Sequence, residues 1–311
     1  MRVAKLADEE LCFLAGDYSG LEVGVQGDWC FRLFGDTQIV DMYLAQAKGA
    51  DIHGGNAKEV FGRWLHFKVP TEMVDKKTKA VFVPEYAGQS VLDIPTPRFK
   101  DQKVKAEDGT ETKVPGHPFA KTLRDNIKEV WYGFAYGKRG YGFQTLRDGD
   151  GKMMGEERAT EMVEALMKAV PGTRLWSDWV EEYVLEHRGI YSLGGRWCPL
   201  YDLVFEGAPQ WMIRKAVRRA LNFPMQATGA DIIGDAMVRV ASCPVLRRLG
   251  YYIVLQIHDE LVLIGPKKHF AKARKYLKKH MEAATANGTR LLFQLQVGVN
   301  DEPASSYIEC K

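Results

Sequence analysis

No stretch of this 311-residue chain reaches the roughly 18 consecutive apolar residues of a membrane-spanning helix, and none reads as a span. Paired cysteines are missing as well. The five cysteines stand at 12, 30, 198, 243 and 310, an odd number with no CxxC, which argues against a disulfide framework or a cysteine zinc site and suits a reducing compartment. There is no internal repeat and no low-complexity linker. Nor is there an excess of one charge. The 43 Lys and Arg against 40 Asp and Glu leave a net +3, too small to announce a nucleic-acid binder but compatible with a locally basic cleft. The opening "MRVAKLADEELCFLAGDYSG" carries charges where a signal peptide would be apolar, so the expectation is a cytosolic protein. What remains, 46% hydrophobic and 27% charged, is the composition of an ordinary globular protein able to bury a substantial core in one to three domains.

Residues 11 to 15 ("LCFLA") read as a short strand that ends at Asp17 and Tyr18. Residues 36 to 64 read as helical. From about 66 to 118 the chain is rich in Pro, Lys, Asp and Gly with only short β-like runs, and it reads as an excursion from the core. Helix returns from Phe119 to Tyr136 with Gly137 as its stop, and again over 155 to 187 with a break at Pro171-Gly172. "GIYSLGGRWCPLYDLVF" reads as a hairpin. The stretch from Ala208 to Ser242 reads as a long helix interrupted near Pro224, followed by a strand, a basic amphipathic helix (267 to 286) and a last strand. This mixed order favours α+β over a doubly wound sheet.

Chemistry concentrates in three places. "YYIVLQIHDELVLIGP" (251 to 266) is an apolar run interrupted by His258, Asp259 and Glu260. Carboxylates in such a setting need a compensating cation, and a metal ion is one candidate; a tight hairpin with the triplet as its turn is the other. "GDYSGLEVGV" places Asp17 at a strand end with Glu22 five residues on. "KTLRDNIKEVWYGFAYG" repeats Arg124, Lys128, Tyr132 and Tyr136 every four residues along one helix face. Cations at one end and rings at the other suit a phosphorylated, ring-bearing ligand such as a nucleotide, although solvated cations and core tyrosines are the ordinary reading of one such helix. Two strand-borne aspartates far apart in sequence could converge on two divalent ions.

Taken together these residues resemble family A DNA polymerases, the group of bacterial DNA polymerase I and the phage replicative enzymes. "DYSGLE" is similar to the family's first palm motif, "RDNIKEVWYGFAYG" to its fingers motif and "HDE" to its second palm motif. "DIHGGNAKEVFG", "GGRWCPL" and "RRALNFPMQATGADIIGDAM" follow the family's order. The resemblance runs from about residue 8 to residue 300, apart from 66 to 118. It implies a right-hand fold of class α+β, with an antiparallel palm sheet (1–24 and 206–311) and helical fingers (25–205) that carry an insertion at about 66–118.

The resemblance also implies roles. Asp17 and Asp259, with the backbone carbonyl of Tyr18, would hold two Mg2+ ions about 3.5–4 Å apart for nucleotidyl transfer from dNTPs to a primer 3′-hydroxyl with release of pyrophosphate. Hard oxygen donors suit magnesium. Glu260 would stand beside the site, as a catalytic or supporting carboxylate, and His258 would touch the primer end. Arg124 and Lys128 would neutralise the triphosphate, with Lys128 as general acid. Tyr132 would lie against the incoming sugar and base, in a position where tyrosine goes with ready acceptance of dideoxynucleotides. Tyr136 would stack at the templating position, Glu22 would block a 2′-hydroxyl, and His53 would approach the triphosphate. Arg218, Asn222 and Gln226 would read acceptors in the minor groove of the primer-template.

Two departures stand out. Gly24 occupies the place where the family usually has an Arg that supports the Glu22 gate. Only 16 residues precede Asp17, which leaves no room there for a thumb or proofreading exonuclease, so the expectation is a split-gene subunit, as in some phages, or a truncated chain. A second polypeptide carrying the thumb and exonuclease is the expected partner, docking before Asp17 or on the 66–118 insertion, in a bacterial or phage-infected cytoplasm. A single-subunit RNA polymerase is disfavoured by Glu22 and "HDE". A non-catalytic polymerase-derived DNA-binding subunit is disfavoured by the survival of Asp17, Asp259 and Lys128.

Overall fold

The computed structural model describes residues 10–75, 77–105, 111–147 and 153–310. In chain order the elements are β1 (Leu11–Tyr18), α1 (Leu21–Phe34), α2 (Gln38–Ala47), α3 (Ile52–Ala57), β2 (Met73–Val74), β3 (Val81–Phe82), β4 (Gln102–Lys105), β5 (Glu111–Val114), α4 (Pro118–Ala135), α5 (Gly155–Ala169) and α6 (Pro171–His187). They continue with β6 (Gly189–Tyr191), β7 (Trp197–Pro199), α7 (Gln210–Ser242), α8 (Pro244–Arg248), β8 (Tyr252–Ile257), β9 (Glu260–Pro266), α9 (Phe270–Glu282) and β10 (Val297–Val299). The fold class is α+β. The 66–118 excursion holds two small antiparallel ladders, β2 with β3 and β4 with β5, joined by 3-10 turns. Among the described residues no helix is long and apolar enough to cross a membrane.

The chain forms two compact units. One comprises Met1–Tyr43, Tyr183–Ala216 and Asn222–Lys311; the other comprises Leu44–Glu182 and Val217–Leu221. The first unit is built on a four-stranded antiparallel sheet of order β10-β1-β9-β8. β1 is almost continuously apolar because both of its faces are covered. Cys12, Leu14, Gly16 and Tyr18 share one face. There α9 buries Phe270, Ala273, Leu277 and Met281 at helical spacing, and a Cβ on Gly16 would come 2.7 Å from the Met281 sulfur. Phe270, Leu277 and Met281, taken out of water, each contribute about 1.5–3 kcal/mol. Phe13, Ala15 and Asp17 share the other face. Phe13 and Ala15 pack with Val262 and Ala304 under Tyr307 and Cys310, which leaves the Asp17 end of that face exposed.

In the second unit α4 packs on α3 around the fully buried Trp131, Phe61, Phe99 and Phe143. The N-terminus of α4 is set by His117, whose Nδ1 accepts from the Ala120 amide, and by Pro118 in the first turn, where no donor is lost. It stops where Gly137 takes φ 85°, as the sequence implies. The residues after α3, Lys58–Trp64, are π-helical.

One expectation fails. α7 runs unbroken from Gln210 to Ser242 with Pro224 inside it. Proline removes one backbone bond at a cost of about 3 kcal/mol, and the buried Ala216, Ala220, Leu221, Met225, Thr228 and Ile232 on both sides offset it.

Gly265 of β9 lies under the Tyr251 ring, and an added Cβ would meet three ring atoms at 2.5–2.7 Å. The ring has little freedom to yield, since its hydroxyl contacts the Cys12 sulfur at 3.4 Å and donates to the Pro266 carbonyl at 3.0 Å. Gly265→Ala will therefore destabilise the protein by about 1–3 kcal/mol. Gly234→Ala, in open space inside α7, will leave stability unchanged or raise it by about 0.5–1 kcal/mol. Urea titrations of both variants read the difference.

Candidate active site

Of the two readings of residues 251 to 266, the hairpin is the one observed, with Asp259 in its turn and not on a strand. His258 and Asp259 form the two-residue connection between β8 and β9, with His258 at φ 54°, a backbone conformation that non-glycine residues rarely take and that histidine tolerates better than most. The turn is also a delivery device. The Asp259 carbonyl accepts from the Tyr18 amide at 3.3 Å, and Asp17 lies opposite Glu260 in the β1–β9 register. The half-buried Asp259 carboxyl is thereby brought into hydrogen-bond contact with the Asp17 carboxyl, with Glu22 close enough to add its charge. Burial pushes Asp259 above the usual carboxylate range, and Glu22 pushes the same way; contacts with its own backbone, Asp17 and His258 only partly offset them.

Among the described residues no cluster of three or more His, Cys, Asp and Glu is placed to hold a metal. The side-chain donors here are the two aspartates. Two carboxylates converging at the open end of a sheet, all oxygen and no nitrogen or sulfur, fit a hard divalent ion. The Tyr18 hydroxyl is turned away, donating to the Met281 carbonyl at 2.7 Å on the opposite face, so only the backbone of Tyr18 is available to such an ion.

The remaining residues of this unit take varied positions. Glu260 is buried, 3% exposed, and accepts a hydrogen bond from the Tyr307 hydroxyl, so it supports the sheet beside Asp17 and does not present its carboxylate to solvent. His258, Asn222 and Gln226 are exposed. Gln226 Nε2 donates to Glu22 Oε1 at 2.6 Å, tying α7 to the first turn of α1. At Gly24 the absent side chain is replaced by rings: a Cβ there would lie 3.1 Å from Tyr43 and 3.2 Å from Phe293.

In the second unit α4 presents a half-buried Arg124, an exposed Lys128 and a half-buried Tyr132, with half-buried Tyr136 as its C-cap, so the cationic and aromatic stripe is not absorbed into the core. Arg124 Nε donates to both carboxylate oxygens of Asp51, at 3.1 and 2.9 Å. The pair is 20% and 5% exposed, and leaving one partner of a buried pair alone costs about 3–5 kcal/mol, so Asp51 fixes the direction of Arg124. His53, two residues on, is 6% exposed, with its ring edge-on to Trp131 and near Tyr132. Its Nδ1 has no hydrogen-bond partner among the described residues. Burial, with Arg124 and Lys128 nearby, pushes His53 down to about 4, so its ring is neutral at pH 7. Arg218, on the α7 segment of this unit, is exposed, and its side-chain stem closes over Gly137: an added Cβ there would meet Arg218 Cγ at 2.7 Å.

Asp51 and Tyr307 escaped the sequence reading. Asp51 stands at the head of "DIH", where its role was legible only through Arg124, 73 residues later. The link from Tyr307 to Glu260 has no local signal.

Residues 109–303 match the family model described as DNA polymerase family A. Over 303 residues the chain is 26% identical to DNA polymerase I of Chloroflexus aurantiacus, an alignment covering 96% of this chain and 25% of that protein. Over 302 residues it is 25% identical to the thermostable DNA polymerase I of Thermus aquaticus, covering 97% and 28%. The chain thus spans about a quarter of the length of these curated relatives. Its fold is similar to that of the POL domain of Pol1 from M. smegmatis, solved in complex with DNA primer-template and dNTP, with a TM-score of 0.64 and 21% identity, over 96% of this chain and 41% of that one.

The buried neutral His53 makes stability depend on pH with a definite sign. The unfolded chain binds a proton on this ring below about 6.5 and the folded protein only below about 4, so stability contributed by the neutral ring is lost as pH falls through that window. Between about pH 7 and pH 5 the parent will lose about 2 kcal/mol more than His53→Gln. Urea titrations of both proteins at the two pH values measure that difference directly.

Proposed function

Because the chain belongs to DNA polymerase family A, we propose that it carries template-directed DNA synthesis, adding deoxynucleotides to a primer 3′-hydroxyl with release of pyrophosphate. The observation that carries this reading is the convergence of Asp17, at the end of β1, and Asp259, in the β8–β9 turn 242 positions later in sequence, at the open end of the sheet. We assign the palm to 1–24 and 206–311, and the fingers to 25–205 with the insertion at 66–118.

Two Mg2+ ions held by Asp17, Asp259 and the Tyr18 carbonyl would lower the barrier by activating the primer hydroxyl and neutralising the triphosphate. The chain's own residues do the rest. Asp17 and Asp259 supply the negative charge that holds the ions. Glu260, fixed by Tyr307, keeps the end of β9 in register beside Asp17. Arg124, aimed by Asp51, and Lys128 meet the triphosphate, and Lys128 Nζ donates the proton that the leaving pyrophosphate takes up. Tyr132 lies against the incoming sugar and base, and Tyr136 stacks at the templating position. His53, neutral, donates or accepts a hydrogen bond without adding a charge. Glu22 stands where a 2′-hydroxyl would sit. Arg218 and Asn222 face the minor groove and His258 the primer end.

Asp17→Asn and Asp259→Asn will each lower primer extension with Mg2+ by at least about 100-fold, a loss larger than that of a residue merely supporting a ligand. Circular dichroism of both variants will match the parent. Extension at the parental rate by either one contradicts the assignment.

A further inference from the structure

Glu22 sits in the first turn of α1, half-buried, on a side chain with three rotatable bonds. A wall against a 2′-hydroxyl works only if it stays in place, and α1 offers little to hold it. The next residues are Val23 and Gly24, and the space a longer residue at 24 would need is filled by the Tyr43 and Phe293 rings at 3.1 and 3.2 Å. Those rings pack on each other with centroids 4.7 Å apart, and the Tyr43 hydroxyl accepts from the Gln296 amide, so they are fixed in turn. Support for the carboxylate comes instead from α7, where Gln226 Nε2 donates to Glu22 Oε1 at 2.6 Å. The backbone under Gln226 is anchored, with Met225, Ala227 and Thr228 buried around it and Thr228 Oγ1 accepting from the Leu193 amide.

We propose that Gln226 is a positioning residue for Glu22, and that the Gln226–Glu22 hydrogen bond sets how strongly the site rejects a ribonucleotide. The inference rests on the reading of Glu22 as the residue facing the sugar 2′ position. It differs from a minor-groove role for Gln226, which would change the use of both kinds of nucleotide alike. A hydrogen bond to a charged acceptor holds the carboxylate in one rotamer; without it the side chain swings aside and a 2′-hydroxyl fits.

The readout is the ratio of kcat/KM for a matched dNTP to that for the corresponding rNTP in single-nucleotide primer extension, in which any general loss of extension cancels. Gln226→Ala will lower this ratio about tenfold or more, the order expected for a lost bond to a charged group. Gln226→Lys, which keeps a donor, will hold the ratio near the parent's. Gln226→Glu, which sets like charge against Glu22, will lower it at least as far as alanine. In the Glu22→Ala background, Gln226→Ala will change nothing further. If Glu22→Ala relaxes discrimination while Gln226→Ala lowers both kcat/KM values equally, the inference is overturned and the gate stands. If Glu22→Ala leaves discrimination intact, the gate and the inference fall together. A second measurement needs no turnover: in 1H–15N spectra of the protein without nucleotide, the Gln226 side-chain amide will shift, and its exchange with water will speed up, in Glu22→Ala. An unchanged amide signal overturns the inference.

Discussion

Two carboxylates held in contact, Asp17 at the end of β1 and Asp259 in the β8–β9 turn, form the constraint around which the first unit is organised. Ionising both costs free energy, because burial and the nearby Glu22 already push Asp259 above the ordinary carboxylate range. With its folded pKa raised, Asp259 disfavours the fold increasingly as pH rises through the carboxylate range, and that cost persists at neutral pH. The sheet withstands it because both faces are secured. α9 covers the Leu14, Gly16 and Tyr18 face, and the segment Ala304–Cys310 covers Phe13, Ala15 and Glu260 on the other. Only the Asp17 end stays open. A divalent cation held by the two carboxylates, as proposed above, would offset the cost of ionising Asp259 there.

The second unit uses charge in the opposite way. Arg124 is aimed by Asp51 and Lys128 is exposed one turn along α4, and together with burial they keep the His53 ring neutral. The result is a cationic surface with an uncharged, buried imidazole behind it, next to the half-buried Tyr132. Phosphate charge, if bound here as proposed, would meet these cations without the competing cost of a protonated histidine in the interior.

Much of this was legible in the sequence, and the gaps have a common physical cause. β1, the hairpin at 258–259 and the α4 stop at Gly137 are fixed by local signals: apolar runs, turn residues and a positive φ that glycine supplies without strain. The family resemblance placed the α+β fold, which the match over 109–303 and the shared fold support. What the sequence did not reveal depends on partners far along the chain. Pro224 reads locally as a break, yet burial on both sides carries α7 through it. Gly24 reads as a lost support for Glu22, yet Gln226, 204 residues away, bonds to that carboxylate. Glu260 reads as a catalytic or supporting carboxylate beside the site or as part of a turn, yet it stands in β9 and Tyr307 holds it in the interior. The suggested docking stretch before Asp17 includes residues 1–9, which lie outside the described residues, as do 76 and 106–110 of the insertion.

The central claim, that Asp17 and Asp259 meet in a site that takes a divalent cation, is tested most directly by thermal unfolding with and without metal. At about pH 7.5, adding about 10 mM Mg2+ in place of EDTA will raise the melting temperature of the parent by a few degrees, since a ligand bound only by the folded state stabilises it. Asp259→Asn, which keeps the shape but removes the disfavoured charge, will melt above the parent in EDTA and gain nothing from Mg2+. Equal Mg2+ gains in the two proteins, or a variant that melts below the parent in EDTA, would contradict the account.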